Sequence, residues 1–239
     1  MRQINLSPPE HLKNALGLHT LRIETKEPDE GPVEMLVHGV IGDEWDGLDS
    51  GNVASWLSDH RGRGVHVRIN SPGGLAYDGV AIYNALSHHD GDVNVTVEGI
   101  AASAATIIAM AGDHVSMHEN STFMIHRAWG LAIGNRETMA EMTSVLDKLD
   151  GQITGTYAAR TGQSKAEMLG MRTGDVDGTY LDAYEALAAG FIDDIIPSKS
   201  KKRDDDKESR KRQAKARMRQ VRAEQLSRAD WDGIASWML

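Results

Sequence analysis

Cysteine is absent from the 239 residues, which excludes a disulfide framework, a thiolate nucleophile and any zinc site built on cysteine sulfur. Long apolar runs are missing too. The longest, residues 100–111, is too short to span a bilayer, and the N-terminus lacks the basic-then-apolar layout of a secretory signal. The expectation is a soluble chain in a reducing, cytoplasmic setting, without a membrane partner. Aromatic residues make up only 5% of the chain, so its basic charge does not read as a nucleic-acid module beyond nonspecific contact. There is no internal repeat, no Gly-x-Ser-x-Gly elbow and no Gly-Lys-Ser/Thr phosphate loop. His88-His89-Asp90 and the His114/His118 pair have no clear third ligand, so no metal is expected.

What is present is unevenly distributed. The net charge is −9, yet residues 198–239 hold 13 Lys/Arg against 7 Asp/Glu, a surplus of six positive charges that leaves −15 for residues 1–197. The apolar pattern also stops near Pro197. This predicts an N-terminal extension over 1–32, one α/β domain over 33–197 and a charged tail over 198–239, partly helical or disordered. A solvated tail is the plain reading. Against it, 217–226 has no helix breaker, and Trp231, Ile234, Trp237, Met238 and Leu239 are unfavourable to leave in water. They suggest a short docking helix for a partner or for the body's own surface.

Within the domain, hydrophobic periodicity predicts strands at 34–41, 65–69, 93–97, 115–117, 122–125 and 191–196. Helices are predicted at 49–60, 78–88, 101–111 and 135–162, the last with Met139, Met142, Leu146, Leu149, Ile153 and Tyr157 at helical spacing. Capping boxes at Ser164-Lys165-Ala166-Glu167 and Asp182-Ala183-Tyr184-Glu185 announce two more, the second ending at Gly190. In the N-terminal extension, 10–16 reads as a short helix and 21–24 as strand-like. The order β-turn-α-β-turn-α over 65–111 implies a mainly parallel sheet with right-handed crossovers, which places functional groups at the turns after the strands.

Two such turns stand out. Asn70-Ser71-Pro72-Gly73-Gly74 is read as a turn whose glycines would let a substrate carbonyl lie against the backbone. Gly99-Ile100-Ala101-Ala102-Ser103-Ala104-Ala105 puts one hydroxyl among small residues near a strand-to-helix junction, where unpartnered N–H groups can hold an oxyanion. The plain alternatives are an ordinary turn and a tightly packed Ala/Ser helix. His126 closes the 122–125 strand, and a histidine at a strand end is the residue type and mount that a general base calls for. Asp175 and Asp177 lie in a later loop, and either could orient that imidazole; turn chemistry alone would also put them there.

Ile69-Asn70-Ser71-Pro72-Gly73-Gly74, Gly99-Ile100-Ala101-Ala102-Ser103, Met124-Ile125-His126 and Glu185-Ala186-x-x-x-Gly190-Phe191-Ile192-Asp193 follow one another in an order and spacing that closely resemble the ClpP family of serine peptidases. The resemblance covers about 34–196. It implies the ClpP/crotonase-like α/β fold of stacked ββα units, with the helix from Asn135 as a handle through which rings of a homo-oligomer associate. By position it implies Ser103 as nucleophile, His126 as base and the backbone N–H groups of Gly74 and Ala104 as oxyanion hole. Gly73 and the strand-like loop of Leu131, Ala132 and Ile133 would line bound peptide, and no cofactor is implied. The family's aspartate normally lies just before an aromatic-Leu pair equivalent to Tyr180-Leu181. Here Gly178 and Thr179 intervene, so Asp177, with one inserted residue, is the best match and Asp175 the reserve.

The N-terminal 30 residues do not resemble the axial segments that meet an unfoldase ATPase. Together with the charged tail, they look more like the ClpP-related head maturation proteases of tailed phages, whose polypeptide substrates are scaffold and capsid proteins. Three alternatives stand beside that reading: a ClpP-like subunit supplied by an ATPase, a crotonase-type acyl-CoA enzyme, and a non-catalytic assembly protein acting through its tail.

Overall fold

Strand after strand in this chain is apolar on alternate residues, and a computed structural model shows where those residues go. The structure describes residues 31–42, 48–173, 178–198 and 204–235, with the side chains of the last helix described over 207–223. The expected short helix and strand of the N-terminal extension, Asp175, Asp177, and the end residues Trp237, Met238 and Leu239 fall outside that description, as do the side chains of Trp231 and Ile234.

The elements alternate: β1 (Val33–Ile41), α1 (Ser50–Asp59), β2 (Val65–Gly74), α2 (Ala76–Ser87), β3 (Val93–Ala102), α3 (Ala104–Ala109), β4 (His114–His118) and β5 (Thr122–Ile125). Then come α4 (Arg136–Thr161), α5 (Lys165–Thr173), β6 (Thr179–Leu181), α6 (Ala183–Ala189), β7 (Asp194–Ile196) and α7 (Asp204–Ala235). The sheet runs β1-β2-β3-β4-β7, all parallel. β3 outruns β4, so its far end pairs instead with β5, in parallel through Ala102↔Met124, and β6 adds antiparallel to β5. The inward residues of β1 to β3, among them Met35, Val37, Val67, Ile69, Val95 and Val97, are fully or almost fully buried against the helices.

Local chemistry explains the helix ends. Asp49 accepts from the N–H groups of Gly51 and Asn52 to start α1, and Asn135 does the same for α4 through Thr138. Ser164 and Glu167 bond reciprocally at α5, and Asp182 and Glu185 at α6, as both sequence motifs predict. Gly162 and Gly190 end α4 and α6 in the left-handed conformation.

Several expectations need correction. Residues 70–74 are not a turn: β2 stays extended to Gly74 and pairs with Ile41 of β1 and, through Ser71, with Ala101 of β3. Register shifts at His38/Val40 and at Ile69/Ser71 create bulges in which Pro72, which has no N–H, breaks no ladder bond. The buried Ser71 hydroxyl bridges the gap, donating to Gly39 O at 2.5 Å and accepting from Gly73 N at 3.1 Å. The 101–111 helix is shorter, because Ala101 and Ala102 complete β3 and α3 ends at Ala109. The last strand begins at Asp194, since Phe191 and Ile192 leave the sheet to fill the core. Of the α4 stripe, Leu149, Ile153 and Tyr157 are buried, but Met139 is 41% exposed: the outer half of the helix projects from the body.

The tail is a helix docked on the body's own surface. Ala214 is buried, and Met218 and Val221 pack against the core. Three arginines on the same side reach body carboxylates: Arg210 to Glu119 at 3.5 Å, Arg217 to Glu185 and Arg222 to Glu167. Two of those glutamates are the capping-box residues of α6 and α5, so the tail fastens on the beginnings of both helices. Among the described residues no helix is long and apolar enough to cross a membrane.

Candidate active site

The parallel pairing of β3 with β5 decides which loops meet. Ala102 stands opposite Met124, so the residues just past each strand, Ser103 and His126, emerge side by side at the carboxyl ends, where sheets of this kind bind ligands. Ser103 N donates to Met124 O at 2.9 Å. Ser103 Oγ and His126 Nε2 lie 2.6 Å apart, although the residues are 23 apart in sequence. Both are half-buried, within reach of water and substrate.

Ser103 has φ 55° and ψ −125°, the one positive φ outside glycine among the described residues. The chain turns there from strand into helix within a single residue, which presents the hydroxyl on a half-buried corner. The turn has the shape of a nucleophile elbow, built without the Gly-x-Ser-x-Gly sequence. The corner is held from behind. Ser103 O accepts from Thr106 N at 3.0 Å and Thr106 Oγ1 at 2.5 Å, and Thr106 Oγ1 in turn lies 2.7 Å from the Tyr157 hydroxyl. Burial pushes the Tyr157 phenol up, so it stays protonated and hydrogen-bonded at any working pH.

Opposite Ser103 lies the end of β2. A Cβ on Gly73 would meet Ala102 O at 2.6 Å, Ser103 Cβ at 2.7 Å and Ala104 N at 3.0 Å, so only glycine fits. Gly73 spends its own N–H on Ser71. Gly74 is exposed beside it, and Ala104 opens α3, where N–H groups have no acceptor inside the helix. The structure thus brings together Ser103, His126, Gly73, Gly74 and Ala104. Leu131 and Ile133 are 67% and 82% exposed in the loop between β5 and α4, with Ala132 between them. Among the described residues the loop forms no strand, contrary to the strand-like expectation, because no described strand pairs with it.

Asp177 and Asp175 lie outside the described residues. Gly178 is described, and its position is informative: with φ 113°, it lies so close to His126 that a Cβ would meet Ile125 O at 2.3 Å and His126 Cβ at 2.5 Å. The Ile125↔Thr179 pairing holds it there. Gly178, one of the two residues between Asp177 and Tyr180, thus lets this segment pass against His126.

Sequence reasoning missed Thr106, Asp150 and Arg172. Asp150 and Arg172 are buried beneath His126, with Arg172 only 1% exposed. Arg172 shares a helical face with Met168 and is flanked by Met171, so an arginine on an apolar stripe was the available signal. Among the described residues no three His, Asp or Glu side chains converge as a metal site. His114 is drawn instead to Asp194, at 3.2 Å.

A model of the Clp protease family matches residues 55–199. The ATP-dependent Clp protease proteolytic subunit of Chlorella vulgaris is 29% identical over 140 residues, 58% of this chain and 68% of that protein. The corresponding subunit of Pleurastrum terricola is 32% identical over 136 residues, 56% of this chain and 67% of that protein. Among solved structures, a point mutant of ClpP1 from Listeria monocytogenes superposes with a TM-score of 0.60 at 23% identity, over 70% of this chain and 92% of that one, a likeness of fold. A strand order that joins Ser103 to His126, and a family match spanning both, lead to one conclusion: the chain belongs to the Clp protease family.

Proposed function

We propose that this protein is a serine endopeptidase in which Ser103 is the nucleophile, His126 the general base, Asp177 the residue that orients it, and the N–H groups of Gly74 and Ala104 the oxyanion hole. The observation that carries this reading is the 2.6 Å approach of Ser103 Oγ to His126 Nε2 at an elbow of positive φ. The hydroxyl attacks the scissile carbonyl carbon while its proton passes to Nε2. The imidazolium returns that proton to the leaving amine, and water then hydrolyses the acyl-enzyme by the same route. Asp177 is favoured over Asp175 because it is bonded to Gly178, whose backbone lies against His126. The chemistry needs no cofactor. A crotonase-type reaction, which uses an oxyanion hole alone, leaves the Ser103/His126 pair without purpose.

Gly73 and the loop of Leu131, Ala132 and Ile133 would line an extended peptide, whose backbone would supply the strand partner that loop lacks. The exposed outer half of α4 suits association of copies into a ring. The substrate class we favour is scaffold and capsid protein in a phage procapsid, because the N-terminal 30 residues and the charged tail look like those of phage head maturation proteases. The names of the relatives, ATP-dependent proteolytic subunits, favour a second reading in which an ATPase delivers unfolded protein.

The experiment is labelling with a fluorophosphonate, followed by sequencing of the labelled peptide and of any self-cleaved ends. Label on Ser103, abolished in Ser103→Ala, supports the peptidase; absence of label on folded protein overturns it. Cleavage of folded scaffold protein without ATP favours the first substrate class. Activity that appears only with an added unfoldase and ATP favours the second.

A further inference from the structure

Beneath His126 two buried charged side chains, from α4 and α5, hold the backbone of residues 126 and 128. Arg172, in α5, donates from Nε to the His126 carbonyl at 3.0 Å. Its Nη2 donates to Asp150 Oδ1 at 2.7 Å, and its Nη1 reaches Asp150 O at 2.8 Å and Thr154 Oγ1 at 2.7 Å. Asp150, in α4, uses the same Oδ1 to accept from Ala128 N at 2.8 Å, and its Oδ2 to accept from Arg127 Nε at 2.7 Å. Residues 126, 127 and 128 are thus each tied to one buried ion pair, at the point where β5 ends and the peptide-lining loop begins. The Arg172 guanidinium also lies 5.8 Å from the centre of the Tyr157 ring, and the Tyr157 hydroxyl reaches Thr106 behind Ser103.

An ion pair placed here is expensive unless every lone pair and proton finds a partner. This one comes close to that. Burial alone pushes the Asp150 carboxyl up, but the Ala128 N–H, Arg127 and Arg172 outweigh burial and hold it below the usual carboxylate range. An apolar pair of similar volume would fill the same space, so packing does not call for charge. What charge adds is direction: a planar guanidinium with fixed donor angles fixes the carbonyl of the base itself.

We propose that Arg172, oriented by Asp150, is a positioning residue for His126: it fixes the backbone from which the imidazole projects and so sets the distance to Ser103. The inference rests on reading Ser103 and His126 as the reacting pair. A carbonyl freed from Arg172 lets the end of β5 shift, and a misplacement of about 1 Å lowers the chemical step on the order of 10²-fold. Ground-state binding of peptide along 131–133 does not depend on that distance, so the loss falls on kcat and spares KM.

The test uses the full chain and four variants. Arg172→Lys keeps the cation but cannot serve His126 and both Asp150 acceptors at once. Arg172→Met with Asp150→Leu removes both charges together, so that no lone buried charge unfolds the protein. Thr154→Val loses an Arg172 contact remote from His126. Ser103→Ala is the blank. Melting curves establish that each is folded; kcat and KM on an unfolded-protein substrate and the rate of fluorophosphonate labelling are then measured. The expected result is a fall of about 10- to 100-fold in kcat and in labelling rate for the Arg172→Lys protein and the double variant. Their KM should stay within about twofold of the parent, and Thr154→Val should be close to parental. Parental kcat and labelling in the folded double variant would overturn the proposal. So would a loss confined to KM, which would assign the cluster to the peptide-lining loop. If the parent itself takes no label, the peptidase reading has failed, and that outcome is distinct because it precedes any comparison of variants.

Discussion

The backbone of Ser103 allows a sharp test, because it predicts a reversal of an ordinary preference. A residue other than glycine at φ 55° and ψ −125° carries strain on the order of 1–3 kcal/mol. Ser103→Ala keeps that strain and loses the hydroxyl. Ser103→Gly loses the hydroxyl and relieves the strain, offset by the greater freedom of glycine in the unfolded chain, about 0.5–1 kcal/mol. The bond to His126 disappears from both and cancels. The glycine variant should therefore be the more stable of the two by about 0.5–2 kcal/mol, and the more stable by about 2–4 °C in melting temperature per kcal/mol for a chain of this size. At Ala81, exposed in the middle of α2, the same exchange of alanine for glycine should destabilise by about 0.5–1 kcal/mol. The assay is thermal or urea unfolding of the three variants beside the parent, with labelling to show that both Ser103 variants are inactive. An alanine variant at 103 as stable as, or more stable than, the glycine variant would refute the claim that the fold holds this residue against its preference.

Gly178→Ala should keep the fold yet lose activity on the order of 10²-fold, because its Cβ would displace either the segment leading into β6 or His126; kcat on a peptide substrate reads this, and parental turnover would count against the placement of that segment. Thr106→Val leaves the buried Tyr157 hydroxyl without its partner and should cost about 1–3 kcal/mol in urea unfolding. Arg222→Gln removes the charge that, together with the Ser164 N–H, holds the Glu167 carboxyl down at about 2. Because the folded pKa lies below the ordinary one, the contribution of this pair is present above about pH 4.5 and is lost as pH falls towards 2. The melting curves of parent and variant should thus differ by about 0.2–1 kcal/mol near neutrality and converge over that acid range.

The motifs were legible because they are local. A capping box needs only residues three apart, as at Ser164/Glu167 and Asp182/Glu185, and a buried strand announces itself by alternation, as in Val93, Val95 and Val97. Even the strand-to-helix corner at Ser103 followed from composition on either side of it. The extended course of 70–74 was not legible, because Pro and Gly in a row signal a turn unless bulges in two neighbouring strands receive them. Nor was the tail's destination: its arginines find partners that lie 32 to 91 residues away in the chain.

Taken alone, the order of residues determined the kinds of element, their caps, and the hydroxyl and imidazole available for chemistry, since each of these depends on neighbours within a few positions. Tertiary structure decided how they combine. Only the pairing of β3 with β5 puts Oγ and Nε2 at 2.6 Å, only that packing holds Ser103 at positive φ, and only burial turns Arg172 from a solvated charge into a contact with the His126 carbonyl. Distances between residues far apart in sequence are set by the register of strands and the packing of helices, and neither is written in any one stretch of the chain.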